Sequence, residues 1–84
     1  MAATDIRDII ARRFRPHRPG ELDDDLDLGP QGFGLDSIAL TELLVLCEER
    51  FGVAFPSTLF DGGPLTIRRL AAHARPASDA GGMT

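Results

Sequence analysis

The feature that most constrains this chain is a helical repeat of apolar residues between residues 36 and 52. Five side chains recur there at spacings of three and four, and on a helical wheel they fall within about 100°: Leu40, Leu43, Leu44, Cys47 and Phe51. Asp36 stands in front as a capping residue, and Gly52 stands where a helix would end. We predict a helix from Asp36 or Ser37 to about Phe51, with these five residues as its core face.

Two other segments carry apolar stripes at helical spacing. The stripes are Ile6, Ile9, Ile10 and Phe14 in the first segment, and Ile67, Leu70, Ala71 and Ala74 in the last. Thr4 and Thr66 are the expected N-terminal caps, and Pro16 and Pro76 are the expected stops. This predicts a first helix over about 4–15 and a last helix that begins after Thr66.

The connections complete the predicted fold. Residues 16–36 form a long first loop rich in proline and glycine, and its apolar residues are expected to fasten it to the core: Leu22, Leu26, Leu28, Phe33 and Leu35. Residues 53–63 predict an extended piece and one helical turn that begins at Pro56 or Ser57. No β-alternation is visible. The predicted class is all-α, with three main helices, one short helix and a long first loop.

With 84 residues, the chain is long enough for one small domain, whose function is expected on its surface rather than in a deep cleft. We assign residues 1–75 to this domain and residues 76–84 to a flexible tail, because the tail is small and polar.

Charge is unevenly distributed over the chain, whose net charge is −4. Residues 21–61 hold ten acidic side chains, and Arg50 is the only base among them. An acidic middle argues against nucleic acid and anionic membranes as partners, and favours a basic protein surface. Without an apparent signal peptide or membrane span, a cytoplasmic monomer is expected. Cys47, the single cysteine, is expected to be a core residue.

The side of the predicted helix opposite the core face is mixed. This outer face holds Ile38, Thr41, Glu42, Val45, Glu48 and Glu49. It is either an ordinary solvated surface or a docking surface with apolar anchors inside an acidic rim. The pattern alone leaves both interpretations open.

Ser37 stands at the start of the same helix, where a hydroxyl can be a plain part of the cap. A hydrolase nucleophile needs glycines at the positions of Leu35 and Ala39, and only His17 or His73 could act as its base. We therefore predict no catalytic residue. The acidic run that begins at Asp23 fails the EF-hand pattern at its required glycine and glutamate, so no metal site is expected either.

The stretches "GLDSIAL" and "TELLVLCEERFGV" resemble the second helix of acyl carrier proteins. The matching positions are Gly34, Asp36, Ser37, Ile38, Glu42, Glu48, Glu49, Phe51 and Gly52. Downstream, "FPSTLFDGGPLTIRRLAAH" is similar to the segment that joins the short third helix to the fourth in polyketide-type carriers. The resemblance covers about residues 4–75.

This resemblance implies a small four-helix bundle that is not an enzyme. It implies that Ser37 carries a covalent 4′-phosphopantetheine arm, taken from coenzyme A by a phosphopantetheinyl transferase, with Asp36 as the neighbouring motif residue and helix cap. The arm would hold acyl groups as thioesters for ketosynthase- and acyltransferase-type enzymes with basic docking surfaces, which favours docking as the role of the outer face. A discrete carrier of polyketide or fatty-acid biosynthesis is expected. A peptidyl or aminoacyl carrier, and a helical interaction module without an arm, stay open as alternatives.

Overall fold

The computed structural model describes residues 1–18 and 20–76. In this part of the chain, the helices are α1 (Ala3–Arg13), α2 (Ser37–Phe51), a 3-10 helix (Ser57–Gly62) and α3 (Ile67–His73). The predicted all-α fold with four helices and a long first loop is confirmed. The predicted flexible tail lies, from residue 77 onward, outside the described residues.

Caps set the beginnings of α2 and α3 as predicted, but not that of α1. The Thr66 hydroxyl accepts the backbone N–H of Arg69 at 3.1 Å. In α1, the helix begins at Ala3, so Thr4 lies inside it and the prediction of a Thr4 cap is wrong. The carboxylate of Asp5 instead accepts the N–H of Ala2 at 2.9 Å, because an acid at the third helical position can reach back to the residue before the helix.

The extended piece predicted after α2 begins with a very short strand, whose pairing with a second short strand the sequence analysis did not predict. β1 (Val53–Ala54) and β2 (Arg75–Pro76) pair in antiparallel fashion, with Val53 opposite Pro76. Strands of two residues leave no alternation to detect. α3 ends at His73, so Pro76 does not stop the helix and lies instead in an edge strand, where proline is tolerated.

The core lies where the three α-helices meet, and the predicted stripes supply most of it. Fully buried side chains come from all three helices: Ile6, Ile9 and Ile10 from α1, Leu43 and Cys47 from α2, and Ile67 and Leu70 from α3. Burial of each such side chain contributes about 1.5–3 kcal/mol. Phe51, at the end of the core face of α2, packs partly buried against the same cluster.

The long first loop is ordered by its apolar residues, as predicted. Leu22, Leu28, Phe33 and Leu35 are buried, and Leu26 packs partly buried against the core. The N–H of Leu28 donates to the carbonyl of Leu65 at 2.8 Å, which ties the middle of the loop to the segment before α3. Residues 20–36 therefore follow a defined path into α2.

The acidic run of the loop does more than face solvent. Arg7 of α1 binds the carboxylate of Asp24, and Arg68 of α3 binds that of Asp25 at 2.6 Å and 3.1 Å. The hydrogen bond from Arg68 holds the pKa of Asp25 below its usual value. These pairs link the loop to both terminal helices.

Candidate functional site

The first turn of α2 has a cap formed by its own sequence. Asp36 has extended backbone angles, and its Oδ1 accepts the N–H of Ala39 at 2.8 Å. Its carbonyl accepts the N–H of Leu40 at 2.9 Å, which closes the first helical turn. The predicted capping by Asp36 is confirmed, and Ser37 is the first residue of the helix.

Ser37 is exposed, and within the described residues its hydroxyl makes no hydrogen bond. Its carbonyl accepts the hydroxyl of Thr41 at 2.9 Å, so the backbone is held while the side-chain oxygen faces solvent. The N–H groups of Ser37 and Ile38 have no intrahelical partner, as is general for the first residues of a helix. An exposed hydroxyl therefore lies beside two unbonded N–H groups and the positive end of the helix dipole.

The approach to Ser37 depends on close backbone packing in the loop. A Cβ atom at Gly32 would lie 1.9 Å from the carbonyl oxygen of Asp27, so no larger residue fits there. The same carbonyl accepts the N–H of Phe33 at 2.7 Å. Gly34 follows with φ +106°, a backbone conformation that favours glycine. The two glycines thus allow the turn that leads into Asp36.

A shallow groove of about 420 Å³ begins at the serine and is lined by Ser37, Ile38, Thr41 and Glu42. Ile38 is 80% exposed and Val45, two turns further along, is 42% exposed. Most of Ile38 and a large part of Val45 therefore face solvent. They are the exposed apolar residues of α2.

The remaining residues of the outer face lie on the same side of α2. Thr41, Glu42 and Glu49 are exposed, and Glu48 is half-buried. The core face of the helix is turned inward, so the predicted division of α2 into two faces is confirmed by burial. The structure therefore brings together all the residues that the sequence analysis placed beside Ser37.

One neighbour of this site was missed by the sequence analysis. Arg15 contacts the loop residue Phe33, and its Nη1 donates to the Phe33 carbonyl at 2.7 Å. No local pattern signals a contact between residues so far apart in the chain. The sequence analysis also did not predict that Phe60, on the 3-10 helix, is 49% exposed. A single helical turn has no periodicity that would assign its side chains to a face.

In the described part of the chain, neither histidine nor the cysteine forms a hydrogen bond with the Ser37 hydroxyl. His17 packs edge-on against Phe33, with ring centroids 6.2 Å apart, and His73 is exposed at the end of α3. Cys47 is fully buried, and burial, with a smaller effect of Glu48, raises the pKa of its thiol to about 11. Among the residues that the structure describes, no group of three or more His, Cys, Asp or Glu side chains is arranged to hold a metal ion.

No helix of residues 1–18 and 20–76 combines the length and apolar character needed to cross a membrane.

A small helical domain with an exposed serine at the start of its second helix, and with acidic and aliphatic side chains along that helix, defines the class of covalent carrier domains. The family model described as "Phosphopantetheine attachment site" matches residues 4–74. The chain therefore belongs to this family. Comparison with curated proteins and with solved structures gave no match.

Membership establishes the general role. The protein is a carrier that holds a 4′-phosphopantetheine prosthetic group and is not itself an enzyme. Its partners therefore include a phosphopantetheinyl transferase and biosynthetic enzymes. An interaction module that never carries an arm is set aside by the family match.

The start of α2 fits the phosphate of such a group. The hydroxyl of Ser37 is unbonded within the described residues, and the adjacent N–H groups can face an anion, a position worth about 0.3–1 kcal/mol for negative charge at an exposed helix start. The neighbouring carboxylate of Asp36 accepts the N–H of Ala39, and its repulsion of a phosphate offsets part of this gain.

Proposed function

We propose that Ser37 is the residue that carries the 4′-phosphopantetheine arm. The observation that carries this proposal is the exposed, unbonded hydroxyl at the first position of α2, in the part of the chain that the structure describes. The matching serine in the motif "GLDSIAL" supports the same assignment. The arm supplies a terminal thiol that holds the cargo as a thioester.

The reacting atom of this chain is the Ser37 oxygen. On modification it loses its proton to the transferase and forms a bond to the phosphorus of the pantetheine phosphate. The bond between that phosphorus and the nucleotide part of coenzyme A breaks, and the nucleotide leaves. Asp36 keeps the first turn of α2 in place by holding the N–H of Ala39.

We further propose that partner enzymes dock on the outer face of α2. Ile38 and Val45 are exposed and aliphatic, and Glu42 and Glu49 lie exposed on the same side. An interface with an apolar centre and a charged rim has this composition. A partner with a basic rim would therefore reach the arm from the side on which Ser37 lies.

For the cargo, we infer acyl rather than peptidyl groups, and polyketide biosynthesis before fatty-acid biosynthesis. The aspartate before Ser37 and the polyketide-like stretch "FPSTLFDGG" support this inference. The proposal retains a cytoplasmic monomer whose carrier domain spans residues 1–75. Profiling of the acyl species held by the protein in its native host tests it, and aminoacyl thioesters in their place would contradict it.

The test of the attachment site is modification with coenzyme A, Mg²⁺ and a broad-specificity phosphopantetheinyl transferase, followed by intact-mass measurement. We expect the wild-type protein to gain the mass of one arm and Ser37→Ala to gain none. Helicity should be nearly unchanged in Ser37→Ala, because Asp36 retains the cap.

Ser57→Ala is the matched control, since Ser57 is also an exposed serine at the first position of a helix. It should be modified like the wild type. A Ser37→Ala protein that still gains the arm, or a Ser57→Ala protein that does not, would contradict the assignment.

A further inference from the structure

We propose that Arg15 is a positioning residue for Ser37, and that its guanidinium fixes the loop segment which presents the serine to the transferase. This inference rests on the proposed function of Ser37. It adds a residue outside the carrier motif, on the far side of the long loop, to those that determine how well the chain is modified.

The guanidinium of Arg15 is held by three contacts. Its Nη1 donates to the carbonyl of Phe33 at 2.7 Å, and its Cζ lies 4.2 Å from the centroid of the Phe33 ring. Its Nη2 donates to Oε2 of Glu21 at 3.0 Å. A planar guanidinium can stack on a ring and donate in two directions at once, which an ammonium group cannot.

The carboxylate of Glu21 is itself held in place, so the guanidinium of Arg15 is not bonded to a freely moving side chain. Its Oε1 accepts the backbone N–H of Arg18 at 2.9 Å. Arg18 and Glu21 belong to the same turn, in which the N–H of Glu21 donates to the carbonyl of Arg18 at 3.0 Å. Arg15 therefore connects a closed turn at the start of the loop to Phe33 near its end.

The segment that Arg15 holds leads directly to the serine. Gly34 follows Phe33 with φ +106°, and Nη1 of Arg15 lies 3.7 Å from the position that a Cβ atom at Gly34 would take. After Gly34 come Leu35, Asp36 and Ser37. The Phe33 carbonyl belongs to the peptide unit that joins Phe33 to Gly34, so the hydrogen bond from Arg15 restrains that unit at the residue where the chain would otherwise rotate most freely.

Two observations indicate that Arg15 positions the segment before Ser37 rather than stabilising the fold as a whole. Arg15 lies beyond the end of α1 at Arg13, so its loss does not shorten a helix. Its side chain is 51% exposed, and substitutions of such surface residues usually change stability little. The buried Phe33 and Leu35 remain to hold the loop on the core.

We therefore expect loss of the Arg15 guanidinium to weaken binding to the transferase by reducing the fraction of molecules in which the segment before Ser37 is correctly placed. If removal of the guanidinium leaves the segment correctly placed for only a fraction of the time, apparent affinity for the transferase falls by that fraction. We expect KM of the transferase for Arg15→Gln to rise about fivefold to tenfold, with kcat within about twofold of the wild-type value.

The experiment compares Arg15→Gln, Arg15→Lys and Arg12→Gln in transferase kinetics, with backbone amide exchange measured on the same proteins. Arg12→Gln is the matched control: it removes the same charge from a nearby exposed arginine, which pairs only with Asp8 on its own helix within the described residues. Arg15→Lys keeps the charge but loses the planar fork.

We expect both Arg15 variants to show the raised KM and faster amide exchange at Gly34 and Leu35, and Arg12→Gln to match the wild type. Unchanged KM in Arg15→Gln would overturn the inference. So would full recovery in Arg15→Lys or an equal rise in Arg12→Gln, since either would make the effect one of charge alone. A large fall in melting temperature in both Arg15 variants would also overturn it, because the role would then be general stability.

A different result is expected if the proposed attachment of the arm at Ser37 is wrong. In that case Ser37→Ala would still be modified, or the wild-type protein would gain no arm. Modification of the wild type at Ser37, with normal kinetics in both Arg15 variants, would overturn only the positioning role.

Discussion

Burial separates the two thiols that the modified carrier contains. Cys47 is fully buried with its pKa raised to about 11, so at about pH 8 almost none of it is the reactive thiolate. An arm attached to the exposed Ser37 would place its thiol outside the core. We predict that iodoacetamide labels the folded, unmodified protein hardly at all, that it labels the folded, modified protein once, and that intact mass shows both results.

Cys47→Ala is the control for this prediction. Labelling of the modified variant should equal that of the modified wild type, since Cys47 does not contribute in the folded state. Denaturation should make Cys47 reactive in the unmodified wild type. Rapid labelling of the unmodified protein while it is folded would contradict the buried position of the cysteine.

At the scale of the element, the two faces of α2 should respond differently to the same kind of truncation. Leu43 is fully buried, and Leu43→Ala should cost about 2–5 kcal/mol in the free energy of unfolding. Val45 is 42% exposed, and Val45→Ala should cost less than about 1 kcal/mol. Chemical denaturation of both variants measures the difference, and the reverse order would mean that the helical phase is wrong.

The ion pair between the loop and α3 should make part of the stability depend on pH. The hydrogen bond from Arg68 lowers the pKa of Asp25 in the folded protein below the ordinary value of an aspartate. A lowered folded-state pKa gives stability that is fully present above the unfolded value and is lost as pH falls through the folded one. We predict that the wild type is more stable than Asp25→Asn at neutral pH.

The measurement is a series of thermal melts from about pH 7 down to about pH 2.5. The difference between wild type and Asp25→Asn should shrink below the ordinary aspartate pKa, and it should also be small because the pair is exposed. Asp23→Asn is the control, since among the described residues Asp23 forms no ion pair with Arg68 and acts on it more weakly than Asp25 does. A difference that grows toward acid would contradict the prediction.

The helices were predictable because their signals are local. Short stretches of sequence determine the core face of α2, the caps at Asp36 and Thr66, and the end of α2 at Gly52. The predicted start of α1 was one residue too late. Thr4 and Asp5 are both common residue types near a helix start, so the local sequence does not decide at which residue the helix begins. β1 and β2 were missed because two residues carry no periodicity.

The positions of Ser37 and of the outer face were predictable for the same reason, because both follow from the position of one amphipathic helix. The contacts that hold the approach to the serine were not. Arg15 meets Phe33 across the long loop, and Arg68 meets Asp25 from α3. Such pairs depend on the folded path of residues 20–36, which several buried side chains determine jointly: Leu22, Leu28, Phe33 and Leu35.

At the scale of the whole molecule, the charge of the outer face should govern how fast partners arrive. Reversal of both exposed glutamates, Glu42→Arg with Glu49→Arg, should slow modification by the transferase at low salt. Exposed charges act mainly on the rate of encounter, and added salt screens them. The gap to the wild type should therefore narrow across an ionic-strength series of transferase kinetics.

Asp8→Arg with Asp23→Arg changes the net charge equally at exposed positions outside α2 and is the matched control. It should slow modification less than the reversal on the outer face. Ile38→Ala should weaken binding with little dependence on salt, since its contribution is apolar. Equal rates for the wild type and the outer-face reversal at low salt would mean that the acidic side chains only face solvent.

The pairing of β1 with β2 has a practical consequence for immobilised protein. Because Val53 comes two residues after Phe51, the last residue of α2, and lies opposite Pro76, residues 75–76 lie near the end of that helix remote from Ser37. The helix has 15 residues, and at about 1.5 Å per residue it separates the two ends by roughly 20 Å. Immobilisation from the side of the domain on which residues 75–76 lie would therefore leave Ser37 accessible, and a column of such protein would capture the enzymes that bind at the start of α2.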